Sequence, residues 1–236
     1  MSYIKADKLV KLYGAGDATV PAIKGMSFEI NTGEFIGIMG ESGSGKSTLL
    51  SVMGALNTPT SGGYIVDDID VYSLGHDRRA DFRREFVGFV FQSFQLVPYL
   101  TVAENVMLPL VTIRMKGRDK REMAEGALGR VGIAGLGDRL PNAISGGEQE
   151  RVAVARAVVN EPPILLADEP TGNLDTKTSA ELMMLLKELN NSGMTIVMVT
   201  HSPECADHAG RIMRMSDGLI VEDKQQAEFR LEKAAM

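Results

Sequence analysis

The chain has 236 residues, 44% hydrophobic and 24% charged, the usage of a globular protein long enough for one large α/β domain. Its net charge of −6, from 25 Lys+Arg against 31 Asp+Glu, argues against a nucleic-acid partner, whose surface needs basic groups to displace counterions. No stretch approaches the roughly 18 consecutive apolar residues of a membrane span, no apolar signal core follows Met1, and the single cysteine, Cys205, fits a reducing compartment. The expected location is therefore cytoplasmic, with any attachment to the inner face of the membrane made through a partner.

In chain order, Ile23–Ile30 reads as a short strand of a small antiparallel layer, and Phe35–Met39 as an apolar strand of the core. Gly40-Glu41-Ser42-Gly43-Ser44-Gly45-Lys46-Ser47 follows, a full match to the G-x-x-x-x-G-K-[ST] phosphate-binding loop. Such a loop turns several backbone N–H groups into one concavity, and glycines give the backbone the freedom to do so. Lys46 is expected to reach the β/γ-phosphates and the Ser47 hydroxyl to ligate Mg²⁺. A helix over Lys46–Leu56, with Thr48 in its first turn, points its positive end at the phosphates.

Gly63–Val71 reads as a second strand of the small layer and Phe86–Phe91 as a core strand. Ser93–Ile144 changes to polar helical segments: a helix from Thr101 to Val106 with Glu104 completing a capping box, a charged helix over Lys116–Val131, and a loop over Gly132–Asn142. Ser145-Gly146-Gly147-Glu148-Gln149 opens a further helix that runs to Val159 and stops before Pro162-Pro163. Ser145 and Glu148 form another capping box, S-x-x-E. That box needs neither Gly146 nor Gly147, which cost on the order of 1 kcal/mol each against Ala. Both make sense where a phosphate of another molecule must approach bare N–H groups.

Ile164–Ala167 is a fully apolar strand, as a sheet buried on both faces requires. It ends in Asp168-Glu169, which places Asp168 to hold Mg²⁺ and Glu169 to polarise water attacking a γ-phosphate. Thr195–Thr200 is a further core strand, and Arg211–Met215 with Leu219–Val221 form a hairpin about Asp217-Gly218. Asp223–Met236 reads as a short exposed helix or a frayed end. Met184, Met194 and Met198 are expected in the core, and His76 and His208 in structural roles.

Taken together, these motifs resemble the ATP-binding-cassette (ABC) ATPases. Ile144-Ser145-Gly146-Gly147-Glu148 is similar to their LSGGQ signature, and the phosphate loop, Gln92, Asp168-Glu169, Asn173-Leu174-Asp175 and His201 stand in the family's order. Within it, Phe91–Leu96, Leu100–Val106 and Ala167–Asp175 resemble the MacB/LolD/FtsE branch. Ile144 for Leu is a mild swap, whereas Glu148 for Gln sets negative charge beside a phosphate site.

The resemblance implies an α/β fold, a P-loop, RecA-like, mostly parallel core with a small antiparallel β subdomain and an inserted helical subdomain. It implies one ABC ATPase domain over 1–236, with residues 1–92 and 155–236 as nucleotide-binding core and 93–154 as helical signature subdomain. It implies that ATP is held by Tyr13, stacked on adenine, by Gly40 through Thr48, and in trans by Ser145, Gly146, Gly147, Glu148 and Asp175. Mg²⁺ falls to Ser47, Gln92 and Asp168, and catalysis to Glu169, His201, Gln92 and Lys46. A head-to-tail homodimer in the ATP state is implied, with an integral membrane permease seated in a groove between Gln92 and the helical subdomain. The implied function is ATP hydrolysis driving lipoprotein release or drug or peptide extrusion. The alternative is a regulatory ATPase of the FtsE kind, which controls cell-wall enzymes without transport.

Overall fold

The computed structural model describes residues 2–227. β1 (Ser2–Tyr13) pairs antiparallel with β2 (Val20–Asn31), and β3 (Phe35–Gly40) leads into helix α1 (Lys46–Met53). β4 (Ser61–Val66) returns to the other edge of β1, and β5 (Ile69–Asp70) completes an antiparallel layer ordered β2-β1-β4-β5. The sequence expectation for this layer lacked β1. Its inward residues Ile4 and Ala6 alternate properly, but the register then shifts before Leu9, and Lys8 takes φ 48°. A bulge of this kind hides the period of two on which strand recognition rests. The expected strand Gly63–Val71 is in fact β4 and β5, folded back at Asp67 and Asp68 with φ 48° and 61°.

α2 (His76–Phe86) precedes β6 (Val87–Val90), so Phe86 ends a helix and does not begin the expected strand. Only Phe82 of α2 is buried, which leaves the helix almost without an apolar stripe. α3 (Val102–Met107), α4 (Gly117–Arg130) and α5 (Gly146–Val158) pack on one another as a helical block. Both expected capping boxes form: the hydroxyls of Thr101 and Ser145 accept from the amides of Glu104 and Glu148, whose carboxylates accept in return from the cap amides. α5 continues without a break past residue 154 and lies against β6.

β7 (Ile164–Asp168), α6 (Thr176–Asn191), β8 (Thr195–Val199), the short α7 (Pro203–Ala206), β9 (Arg211–Ser216) and β10 (Leu219–Gln225) complete the chain. The core sheet runs β10-β9-β3-β8-β7-β6, parallel except for the β9–β10 hairpin. Alternation divides its side chains between two cores. Leu165, Ala167, Ile196 and Met198 face the helical block and α6, whereas Ile164, Leu166, Val197 and Val199 face α1 and the antiparallel layer. Each buried Leu or Ile contributes roughly 1.5–3 kcal/mol to holding these layers together.

α6 buries Leu182, Met183, Leu185, Leu186 and Leu189. Met184, expected in the core, is therefore turned outward and 60% exposed, while Met194 and Met198 are buried as expected. Asp223–Gln225 close β10, the two residues after it, 226 and 227, take helical geometry, and residues 228–236 of the expected terminal segment lie outside the described residues.

Candidate active site

The parallel strands β3, β7 and β8 end together, so Gly40, Asp168 and the Thr200-His201 pair meet at the carboxyl edge of the sheet, where open α/β folds bind ligands. Gly45 turns the chain from loop into α1 with φ 98°, and a Cβ there would collide with the carbonyl oxygen of Ala22, so the position admits only glycine. Lys46 is 6% exposed and folds its ammonium back onto the loop, donating to the carbonyls of Gly40 and Glu41 at 2.8 Å each. Ser44 is buried at 5% exposure with its hydroxyl unpartnered. A buried cation resting on its own loop beside an orphaned hydroxyl and a helix N-terminus is a set of donors fit for a polyphosphate.

The Ser47 hydroxyl donates to Asp168 Oδ1 at 3.1 Å. Burial raises the Asp168 pKa, opposed by that hydrogen bond, with Glu169 adding to the rise and Lys46 opposing it. Among the described residues no group of three or more His, Cys, Asp or Glu could hold a metal alone. One serine and one carboxylate suit Mg²⁺, a hard cation that keeps waters and takes the rest of its shell from substrate phosphates.

Glu169 follows β7 with φ 47°, a conformation uncommon outside glycine, while its N–H donates to Val199 O at 2.9 Å. Its Oε2 accepts from Gln92 Nε2 at 3.0 Å and lies 3.2 Å from His201 Nδ1. Gln92 and His201, each expected in catalysis, thus both touch the Glu169 carboxylate. Asn173, which the sequence reading left without a role of its own, donates its side-chain amide to Gln92 O at 2.8 Å.

The signature forms a second cluster, around its own cavity of about 300 Å³ lined by Ser145, Gly146, Gly147, Glu148 and Asp175. Glu148 Oε2 takes both the amide and the hydroxyl of Ser145, each at 2.7 Å, and the backbone bond holds its pKa low. Asp175 caps α6, accepting from Thr178 N at 3.0 Å and Thr178 Oγ1 at 2.6 Å. Nothing crowds a Cβ at Gly146, but one at Gly147 would lie 2.5 Å from Thr178 Cγ2. The second glycine therefore has an intramolecular reason the sequence did not reveal, the close approach of α6.

Tyr13 stands apart on the antiparallel layer, 43% exposed, its hydroxyl accepting from Asn57 Nδ2 at 2.6 Å and its ring 5.1 Å from Lys11 Nζ. Arg156 was also missed. It donates to Phe94 O at 2.8 Å and Gln95 O at 2.6 Å, tying α5 to the segment after Gln92. A lone arginine within the apolar run Val152–Val159 was the available signal.

The family model described as "ABC transporter" matches residues 23–172. The macrolide export ATP-binding/permease protein MacB of Rhodopirellula baltica is 46% identical over 97% of this chain, which spans only 34% of that protein's length. YvrO of Bacillus subtilis, an ABC transporter ATP-binding protein, is 44% identical over 93% of this chain and 96% of its own. Among solved structures, the dimeric ATP-binding cassette MJ0796, bound to ADP and Pi in a post-hydrolysis state, superposes with TM-score 0.87 at 42% identity, covering 94% of this chain and 98% of that one. The chain therefore belongs to the ABC transporter family, as an ATP-binding subunit that hydrolyses ATP with Mg²⁺.

Proposed function

We propose that the chain powers export, of a lipoprotein, drug or peptide, through a membrane permease, by closing as a homodimer around ATP at the cytoplasmic face. The observation that carries this reading is the division of the site: the phosphate loop with Asp168, Glu169 and His201 lies in one cluster, and the Ser145 group lines another cavity. Two copies set head to tail bring the first cluster of one against the second of the other.

In each half, Gly40 through Thr48 and Lys46 hold the phosphates and Tyr13 stacks on the base; Ser47 and Asp168, with Gln92, would hold Mg²⁺, which would supply charge neutralisation on the phosphates. Glu169 orients and polarises the attacking water while Gln92 and His201 fix its carboxylate. Ser145, Gly146 and Gly147 donate to the γ-phosphate across the interface, with Glu148 and Asp175 beside them. Closure is favoured because these contacts exist only in the closed pair, and hydrolysis removes them.

The permease is assigned to the groove between the core and the helical subdomain, 93–154, where a cavity of about 390 Å³ is lined by Leu56, Arg83, Phe89, Leu108, Pro109 and Arg156; Gln92, expected to border that groove, does not line this cavity. In support of a pairing with a permease, the MacB relatives are named as ATP-binding and permease protein, and this chain spans about a third of their length. No helix among the described residues is long and apolar enough to cross a membrane.

Glu169→Gln tests the proposal. It keeps the shape of the carboxylate but removes its charge, so ATP binds, hydrolysis falls by about 10² or more, and a dimer accumulates on size-exclusion chromatography in ATP and Mg²⁺. A monomer under those conditions refutes the paired site. A photocrosslinker at Leu108 tests the groove separately, and should join the chain to its permease in membranes where that permease stimulates the ATPase.

A further inference from the structure

Glu150, in the second turn of α5, is 1% exposed, and neither of its carboxylate oxygens has a hydrogen-bond partner. Buried polar atoms are nearly always matched, and an unmatched carboxyl is costly to keep. Its charged neighbour is Arg156 on the same helix, which opposes the effect of burial on it. Six residues of helix rise about 9 Å and turn about 240°, so the two residues leave α5 on different faces, and it is the length of the arginine side chain that brings its charge within range of Glu150.

Arg156 is meanwhile engaged elsewhere. Its guanidinium donates to the carbonyls of Phe94 and Gln95, two consecutive residues held at φ 38° and 49°, where non-glycine residues are rare. Two residues upstream, Gln92 is bonded to Glu169 through its side chain and to Asn173 through its carbonyl. Arg156 also lines the groove assigned above to the permease. One side chain thus touches the groove, the strained segment beside Gln92, and the field of a carboxyl that lacks a partner.

We propose that Arg156 is a positioning residue with two alternative acceptors, the Phe94–Gln95 carbonyls and the Glu150 carboxyl, which gives up its proton to solvent as the guanidinium arrives, and that its exchange between them carries an event in the groove to Gln92. The coupling to the groove rests on the permease reading; the exchange itself does not. In the arrangement seen here, the guanidinium clamps the segment and Gln92 stays on Glu169. A segment seated in the groove displaces the guanidinium, which turns to Glu150. Phe94 and Gln95 then relax out of the left-handed region, and Gln92 is free to leave Glu169. The unmatched oxygens of Glu150 are explained as the acceptor of that second arrangement.

The test uses the isolated full chain carrying Cys205→Ser and Ser93→Cys, spin-labelled at position 93, with label mobility read by electron paramagnetic resonance and kcat and KM measured for ATP. Glu150→Gln leaves a side chain that cannot ionise to meet the guanidinium, so the immobile fraction of the label rises and kcat falls about fivefold with KM for ATP unchanged. Arg156→Gln frees the label, and adding Glu150→Gln to it changes nothing further. Arg156→Lys, which keeps one contact, gives an intermediate spectrum and serves if the glutamine variant does not fold. The proposal is overturned if Glu150→Gln leaves both spectrum and kcat unaltered, or if its effect persists at full size without Arg156. Neither result bears on the permease, since no partner is present, and a missing crosslink from Leu108 would in turn leave the exchange standing.

Discussion

Replacing Glu150 by glutamine should stabilise the fold, by an amount set by pH. Burial pushes the Glu150 carboxyl from its ordinary 4.5 up to about 8, with Arg156 opposing the shift. A raised acid keeps in the folded chain a proton that the unfolded chain has already released. Stability is therefore undiminished below pH 4.5, falls as pH rises toward 8, and is level above that. The fall is about 1.4 kcal/mol per pH unit, which amounts to about 1 kcal/mol at pH 5, about 3 at pH 7 and about 4 at pH 8. Glutamine has nearly the same shape and no such titration. Its amide meets the same unmatched surroundings, which offsets the gain by a constant and leaves the slope untouched. Urea unfolding of both chains at pH 5, 6, 7 and 8 should give a stability difference that grows by about 3 kcal/mol across the series. A difference that stays flat would show that Glu150 is ionised and paired in the folded chain, and would refute the reasoning from its burial.

Lys46→Ala removes the one buried ammonium at the loop, and calorimetry should show ATP affinity reduced at least tenfold, or about 1.4 kcal/mol; unchanged affinity refutes its phosphate role. Gly147→Ala sets a methyl against Thr178 Cγ2 and should cost about 1–3 kcal/mol in a denaturant melt, despite alanine's better helix propensity. Thr178→Ser deletes that methyl but keeps the hydroxyl bonded to Asp175, so the double variant should recover most of the loss; no recovery would place the strain elsewhere. Ser145→Arg should leave nucleotide affinity of the monomer within about twofold while abolishing the ATP-dependent dimer, and weaker monomer binding would contradict a site completed in trans.

Much of this was legible in the residues because the signals were local. The phosphate loop, the two capping boxes and the apolar strands ending in Asp168 or before His201 each carry their instruction within a few residues, and the structure places them accordingly. β1 was hidden by its bulge at Asp7-Lys8, and α2 by having one buried side chain. α6 did carry a readable stripe from Leu182 to Leu189 behind an Asp175 cap, and the misplacement of Met184 follows from reading a methionine group without a helix beneath it. The long-range contacts had no local trace at all. Nothing near Gly147 announces Thr178, and nothing near Phe94 announces Arg156, because those approaches are set by how the helical block meets the core.

The arrangement also says what a nucleotide has to displace. Lys46 already donates to two loop carbonyls, Ser47 to Asp168, Gln92 to Glu169, and both donors of Ser145 are taken by Glu148. Nearly every side chain proposed to meet ATP or Mg²⁺ is thus matched by a neighbour, and binding exchanges one set of hydrogen bonds for another. Such exchanges are worth only about 0.5–1.5 kcal/mol each. Tight binding in one subunit must then draw on groups that give up little: the orphaned Ser44 hydroxyl, the loop and helix N–H groups, and the face of Tyr13. The signature half has less of this reserve, because the carboxylate of Glu148 already accepts from the amide and hydroxyl of Ser145, bonds that lower its pKa. In the proposed closure that anion moves aside for a γ-phosphate, a cost that glutamine at this position would reduce. Glu148→Gln should therefore tighten the ATP-dependent dimer of the Glu169→Gln variant several-fold while leaving monomer affinity unchanged. Dilution series followed by light scattering would measure this, and a dimer no tighter than its parent would show that Glu148 does not oppose closure.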